Sequence, residues 1–234
     1  MPVLPGSPPI EIALRRSARA RRFSLRVSRL DGRVTLSMPL RAREAEALRF
    51  AAEQAEWIRS TLAGMPRFRA VTLGDVVPVE GRRLMLLSTP GRSVRIEDES
   101  LLVPGDPRQA AARVAAFLKV LARDRLARAC DRHAAGLGRP YSRLTLRDTR
   151  SRWGSCAHDG ALMFSWRLIM APPSVLDYVA AHEVAHLAEM NHSPAFWRVV
   201  ETLYPRWKPQ RAWLHEHGQA LHSYRFEAAG DDED

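Results

Sequence analysis

Two histidines four residues apart, His182 and His186, with Glu183 between them, are the residues of this 234-residue chain best placed to do chemistry. On a helix, positions four apart share a face, so both imidazoles can meet one ion. Glu183 lies roughly 100° around the helix from His182, where its carboxylate can reach a water on that ion. This is the H-E-x-x-H arrangement. Neutral imidazole suits zinc, and a catalytic zinc keeps three protein ligands and one open position. His192 is the third candidate ligand. It stands six residues beyond His186, too far along for the same helical face, so the helix must stop between them. Asn191 tolerates the left-handed conformation that ends a helix, and Ser193-Pro194 opens the next one, which leaves His192 in the corner. A zinc there lowers the pKa of its water to about 7. Glu183 would then act as the general base and pass the proton to a leaving amine. Peptide-bond hydrolysis fits that sequence of steps.

Such a reaction also needs an oxyanion stabiliser, and Arg152, Tyr178, Tyr204 and His158 qualify by chemistry alone. Each has an ordinary structural reading beside it: the tyrosines as core or rim aromatics, Arg152 as a structural hydrogen-bonder and His158 as a turn residue. Asp177, Glu189 and Glu201 are candidates to orient the ligating imidazoles, which need acceptors for their second ring nitrogen. His215 and His217 are two apart and do not share a helical face, so no second metal site is expected on the last helix. Trp153, Trp166, Trp197, Trp207 and Trp213 read as core, with Trp153 beside Gly154 the one that suits a cleft lining.

The elements that must position these residues can be read from periodicity. Pro173 to Met190 is the predicted metal-binding helix, residues 193–203 the next, and residues 209–222 the last. Upstream, residues 142–147 and 161–166 read as strands of a small sheet, with Asp159-Gly160 as a turn before the second. A long helix over residues 108–135 carries an alanine-rich apolar stripe and stops at Gly136-Leu137-Gly138. Short strands occupy residues 71–103. A helix over residues 42–62 precedes them, and a two-stranded ribbon is expected from Phe23, Leu25 and Val27, then Val34, Leu36 and Met38, around Asp31-Gly32. No internal repeat is evident. Pro104-Gly105-Asp106-Pro107 is the clearest boundary signal. It divides the chain into a basic strand-rich unit (1–105), a second unit with the metal motif (106–226) and an acidic tail (227–234) expected to be disordered.

The net charge is +10, carried almost wholly by arginine, since Lys119 and Lys208 are the only lysines. Eight arginines fall between Arg15 and Arg33 against one acid, Asp31. That segment is either a solvated basic strand surface or a grip on nucleic acid, and basic residues alone do not choose. Cys130 and Cys156 are too few for a secreted disulfide scaffold and read as small core residues. Residues 1–9 lack the form of a signal peptide, and no apolar run is long enough to span a membrane. The expectation is a cytoplasmic protein without membrane attachment.

The segments Arg150 to Cys156, Ser165 to Leu168, Ala171-Pro172-Pro173 with Leu176 to Val179, His182 to His186 and Asn191 to Trp197 together resemble the YgjP-like metallopeptidase family, which is related to SprT-type zinc proteases. The resemblance is close over the C-terminal half and extends to the basic hairpin and the Ala55-Glu56-Trp57-Ile58 helix. It implies an α+β fold in which a zincin-like helical metallopeptidase domain with a small antiparallel sheet follows the basic N-terminal unit. It also implies zinc on His182, His186 and His192, Glu183 as the catalytic glutamate, and a peptide or protein substrate. Glu189 stands where the metzincin pattern requires glycine. Two other readings stay open on the residues alone: a zinc hydrolase of nucleotide phosphates, and a nucleic-acid-binding module with a structural zinc. An intact Glu183 weighs against the second, because a closed structural site needs no base.

Overall fold

Alternating apolar residues need a sheet with one buried face, and the N-terminal segment builds one. The computed structural model describes residues 1–28, 32–64 and 68–226. The chain divides into two compact units, Met1–Arg67 and Phe68–Asp234. In the first, β1 (Val3–Leu4), β2 (Ile10–Ser17), β3 (Ser24–Val27) and β4 (Val34–Pro39) form one sheet in the order β1-β2-β4-β3. The expected ribbon is the antiparallel β3–β4 pair, with Val27 opposite Val34, and β2 adds to it in parallel. Gly32 of the turn signal is described and Asp31 lies outside the described residues. Ile12, Val34, Leu36 and Met38 pack against Ala47 and Ala51 of α1 (Glu44–Glu53) and Ile58 of α2 (Ala55–Ala63). The single helix expected over residues 42–62 is therefore two, broken at Gln54, whose backbone leaves the helical region (φ −98°, ψ 9°).

The second unit begins with β5 (Arg69–Ala70), followed by β6 (Val76–Val79), β7 (Arg82–Thr89), β8 (Arg95–Glu97) and β9 (Ser100–Pro104). The last four form a sheet ordered β6-β7-β9-β8. Its buried Val77, Val79, Leu84, Leu86, Leu101 and Val103 share one core with Val114, Ala115, Leu118 and Ala122 of α3 (Ala110–Leu137). The break in the chain thus falls between residues 67 and 68, and Pro104-Gly105-Asp106-Pro107 is a turn inside a single core. There the Asp106 carboxylate accepts from the Arg108 backbone N–H at 2.9 Å and caps the short turn that leads into α3. α3 runs to Gly138, whose left-handed backbone (φ 68°) ends it.

A third sheet, β10 (Arg143–Arg147), β11 (Gly154–Cys156) and β12 (Ala161–Ser165), is ordered β10-β12-β11. It is mixed, not wholly antiparallel: β10 pairs in parallel with β12, and β11 pairs with β12 antiparallel. The two four-stranded sheets have identical order and strand directions, and this one repeats three of the four strands. The recurrence, invisible in the amino acids, is one of topology: a strand, then a hairpin whose second strand returns alongside it in parallel.

After a fully buried 3₁₀ turn (Trp166–Met170) come α4 (Pro173–Ala185), α5 (Pro194–Leu203), α6 (Trp207–Leu221) and β13 (Tyr224–Arg225). β13 pairs with β5 and joins the two ends of the unit. Arg167 secures this closure. The residue is 5% exposed, and its guanidinium donates to the Asp148 carboxylate at 2.6 and 3.0 Å and to the carbonyls of Leu221 and Tyr224 at 3.0 and 2.9 Å.

Beside it, His222 stacks on Trp153, with ring centroids 4.8 Å apart. Burial first, and then Arg167, pushes its pKa down to about 4, against the opposing pull of Asp148. An unfolded imidazole titrates near 6.5, so between about pH 6.5 and 4 the unfolded chain takes up a proton that the folded chain refuses. Stability falls as pH drops through that window. Chemical denaturation at pH 7 and pH 5 is expected to show a smaller acid-induced loss for His222→Gln than for the parent chain. Equal losses would mean that His222 carries none of the effect.

Candidate metal centre

α4 places the motif in the core of the second unit. Pro172 and Pro173 set its start, with Pro173 in the first turn, where proline leaves no helix hydrogen bond unmade. Val175, Leu176, Val179, Ala180, Ala181, Val184 and Ala185 are all buried, so the helix is packed on nearly every side. Its last turn carries His182 and Glu183, and His186 is the C-cap. The helix stops at Ala185, five residues before the predicted Met190. The chain then turns through the backbone bonds Leu187 N–H to Val184, Ala188 N–H to Ala185 and Glu189 N–H to Ala185. Asn191 is not in the left-handed region: among the described residues other than glycine, only Glu80 and Asp98 have positive φ. Its contribution is its side chain, whose Oδ1 accepts the Ser193 N–H at 3.0 Å. Ser193 Oγ in turn accepts from Phe196 N–H at 3.4 Å and caps α5, as the Ser-Pro pair suggested.

This corner brings His192 back onto the helix. One ring nitrogen from each of His182, His186 and His192 lies within 4.8 Å of the others, and the Nε2 atoms of His182 and His192 are 3.1 Å apart. Phe196, fully buried, packs its ring against all three imidazoles, with centroids 4.9, 4.4 and 4.8 Å away.

The donor set fits a metal ion. Nitrogens bound at about 2.0–2.1 Å to one ion stand only about 3–3.5 Å apart, a range that includes the 3.1 Å between His182 and His192, which is also the length of an N–H···N hydrogen bond between the two rings. His186 Nδ1 lies 3.0 Å from the backbone carbonyl of Glu189 and donates to it, leaving Nε2 with its lone pair free. His182 Nδ1 is buried without a partner. Burial, then the neighbouring His186 and His192, pushes His182 down to about 3, and burial also lowers His186, so both offer lone pairs at neutral pH. Among the described residues, no cysteine or carboxylate completes the group to four.

Glu183 packs against Gly154 of β11, where it is 6% exposed. Gly154 makes room for it: a Cβ added there would stand 2.6 Å from the Cγ and Oε1 of Glu183. Burial pushes Glu183 up to about 8, with Arg152 pulling the other way; a cation held by the imidazoles would favour the ionised carboxylate that a general base needs. Trp153 lies over Gly218 of α6, where an added Cβ would meet its ring at 3.0 Å. Neither glycine contact, nor the role of Phe196 as floor, is announced by spacing in the sequence, although Gly154 and Phe196 belong to the segments that carry the family resemblance.

The other candidates separate cleanly. Tyr178 sets its ring edge against His182 at 6.0 Å, and burial raises its pKa to about 12, so its hydroxyl keeps its proton. Tyr204 donates to the Ser174 carbonyl at 3.1 Å. His158 is exposed in the β11–β12 turn. Of the proposed orienting acids, Glu189 serves through its backbone carbonyl, Asp177 holds His133 and Arg132 instead, and Glu201 accepts from the Trp207 indole. Cys130 is buried and Cys156 half-buried, both as free thiols. His217 Nδ1 contacts the Trp213 carbonyl, and His215 is exposed. No helix of the described residues is long and apolar enough to cross a membrane.

Residues 21–217 match the YgjP-like family, in its metallopeptidase domain. Among solved structures, the chain is similar to the metallopeptidase zymogen of Pyrococcus abyssi abylysin, with 20% identity over 39% of this chain and 93% of that one and a TM-score of 0.36, too slight a likeness to bear on function. No curated protein matches.

Proposed function

We propose that this chain, which belongs to the YgjP-like family through its metallopeptidase domain, hydrolyses peptide bonds with zinc held by His182, His186 and His192 and Glu183 as general base. The observation that carries this reading is the gathering of three imidazoles, two of them 3.1 Å apart at Nε2, at the end of the helix that also buries Glu183. Zinc, when bound, supplies a Lewis acid that polarises the substrate carbonyl and acidifies a water. The chain's own residues do the rest. The Glu189 carbonyl fixes the ring of His186, and Phe196 fixes the plane of all three imidazoles. Glu183 takes the proton of the attacking water on a carboxylate oxygen and hands it to the amine nitrogen as the C–N bond breaks. β11 is an edge strand of its sheet, in contact with Glu183 through Gly154, and an extended peptide adds to such an edge by main-chain hydrogen bonds.

The reading extends to the substrate's company. Arg15, Arg19, Arg21, Arg22 and Arg26 are all exposed in the first unit, a surface suited to proteins associated with nucleic acid. The test is cleavage of an unfolded protein. Exhaustive chelation is expected to abolish it, and one equivalent of zinc per chain to restore it; cleavage that survives chelation would overturn the metal-dependent reading. Stimulation by DNA supports the nucleic-acid-associated substrate. Nucleotide turnover without proteolysis moves the chemistry to phosphorus.

A further inference from the structure

Several arginines of the second unit answer to a carboxylate. Arg125 and Arg167 meet Glu80 and Asp148, and the exposed Arg132, Arg108 and Arg128 have acids at 3.0, 2.8 and 3.0 Å. Arg211 is different. Among the described residues it makes no ion pair or hydrogen bond, and its contacts are two indole faces, with the guanidinium carbon 5.1 Å from the ring of Trp197 and 5.9 Å from that of Trp207.

That platform is rigid. Trp207 donates its indole N–H to the Glu201 carboxylate, which fixes its plane, and Trp197 stacks on it with centroids 4.4 Å apart and rings 24° from parallel. Trp197 faces the metal centre, with its ring 5.8 Å from His182 and 6.1 Å from His192. One indole therefore separates the guanidinium from two of the three imidazoles.

The same face of α6 opens into a groove of about 820 Å³ lined by Trp207, Lys208, Arg211, Ala212, His215 and Glu216. Lys208 also lacks a carboxylate partner among the described residues and lies 5.8 Å from the Trp207 ring. Two unpaired cations face one acid of the lining, Glu216, while nearby Glu201 is occupied by the indole. A stacked guanidinium keeps its N–H edge free, and that edge matches a carboxylate with two parallel hydrogen bonds. Holding the fork in place beforehand reduces the ordering cost of binding.

We infer that Arg211 is a specificity-determining residue, binding a carboxylate of the peptide substrate close to the scissile bond. The inference rests on the peptidase reading above. An extended peptide advances about 3.3–3.6 Å per residue, so the carboxylate belongs to a residue a few positions from the cleaved bond. Its source is either an Asp or Glu side chain or the free C-terminus of a short peptide.

Matched peptides decide between them and test the whole. One series places Glu or Gln at each position near the cleaved bond, and a second carries a free or amidated C-terminus. The acid-bearing member of one series is expected to exceed its neutral partner about 10–50-fold in kcat/KM, mainly through KM, the range that a charge-assisted fork supplies. Arg211→Gln should collapse that ratio to near one, and Arg211→Lys should keep part of it. A merely structural Arg211 would lower both peptides alike and leave the ratio intact, which would overturn the inference, as would a parent enzyme with no acid preference. Binding to Glu183→Gln, followed by tryptophan fluorescence, gives a readout free of turnover. If the zinc-loaded parent cleaves no peptide, the peptidase reading falls. Arg211-dependent binding of the acidic peptide still establishes the carboxylate anchor, and its absence removes the anchor as well.

Discussion

Glu183→Gln is expected to bind zinc with the stoichiometry of the parent chain and to lose about 10³-fold in kcat, within the usual 10²–10⁴ range for a general base. The amide matches the carboxylate in shape, so it fits the space beneath β11 that the side chain fills at 6% exposure. What it lacks is a basic oxygen able to take the water's proton. The three imidazoles are gathered by the end of α4, the Asn191 turn and the Ser193 cap, none of which involves the Glu183 side chain. Metal content and turnover should therefore separate. Elemental analysis with single-turnover kinetics reads both, and a zinc-loaded, fully active Gln variant would remove Glu183 from the chemistry. Loss of zinc instead would make it a ligand.

His182 and His186 were legible because helical period alone puts them on one face. His192 was legible for a partly different reason from the one the structure shows. A stop was required, and Ser193-Pro194 did mark the next helix, but the chain leaves α4 at Ala185 and turns by backbone hydrogen bonds that no residue type advertises. The position of the unit boundary was obscured by a strong local signal. Pro104-Gly105-Asp106-Pro107 reads as a linker, yet Leu101 and Val103 before it and Val114 and Leu118 after it fill one core. Local turn chemistry says that the chain bends, and only packing says whether a core ends there. β11 was missed because Gly154-Ser155-Cys156 has no alternation and little β propensity; it is a strand through its pairing with β12. Parallel pairing of β2 with β4, β7 with β9 and β10 with β12 lay beyond the sequence for the same reason, since a hairpin signal fixes neighbours but not which strand joins from outside.

The contact between β11 and α4 makes Gly154 the second position of large expected effect. Its φ is not in the left-handed region, so alanine suits the backbone there. The obstacle is the added methyl, 2.6 Å from Cγ and Oε1 of Glu183 and 2.8 Å from Cδ. An exposed glutamate would swing aside at little cost. Glu183 is enclosed, so the methyl forces either the strand or the carboxylate from its place. Overpacking of this kind typically costs about 1–3 kcal/mol of stability, and a displacement near 1 Å at a reacting group can cost about 10²-fold in rate. Gly154→Ala is accordingly expected to lose about 10²-fold in kcat while retaining zinc. The cause can be isolated with a double-mutant cycle. In a Glu183→Ala background the atoms that clash are gone, so the destabilisation by Gly154→Ala, measured by chemical denaturation, should shrink to near zero. If the penalty is the same in both backgrounds, the glycine is needed for the strand itself rather than for the carboxylate beneath it, and the coupling of β11 to Glu183 fails.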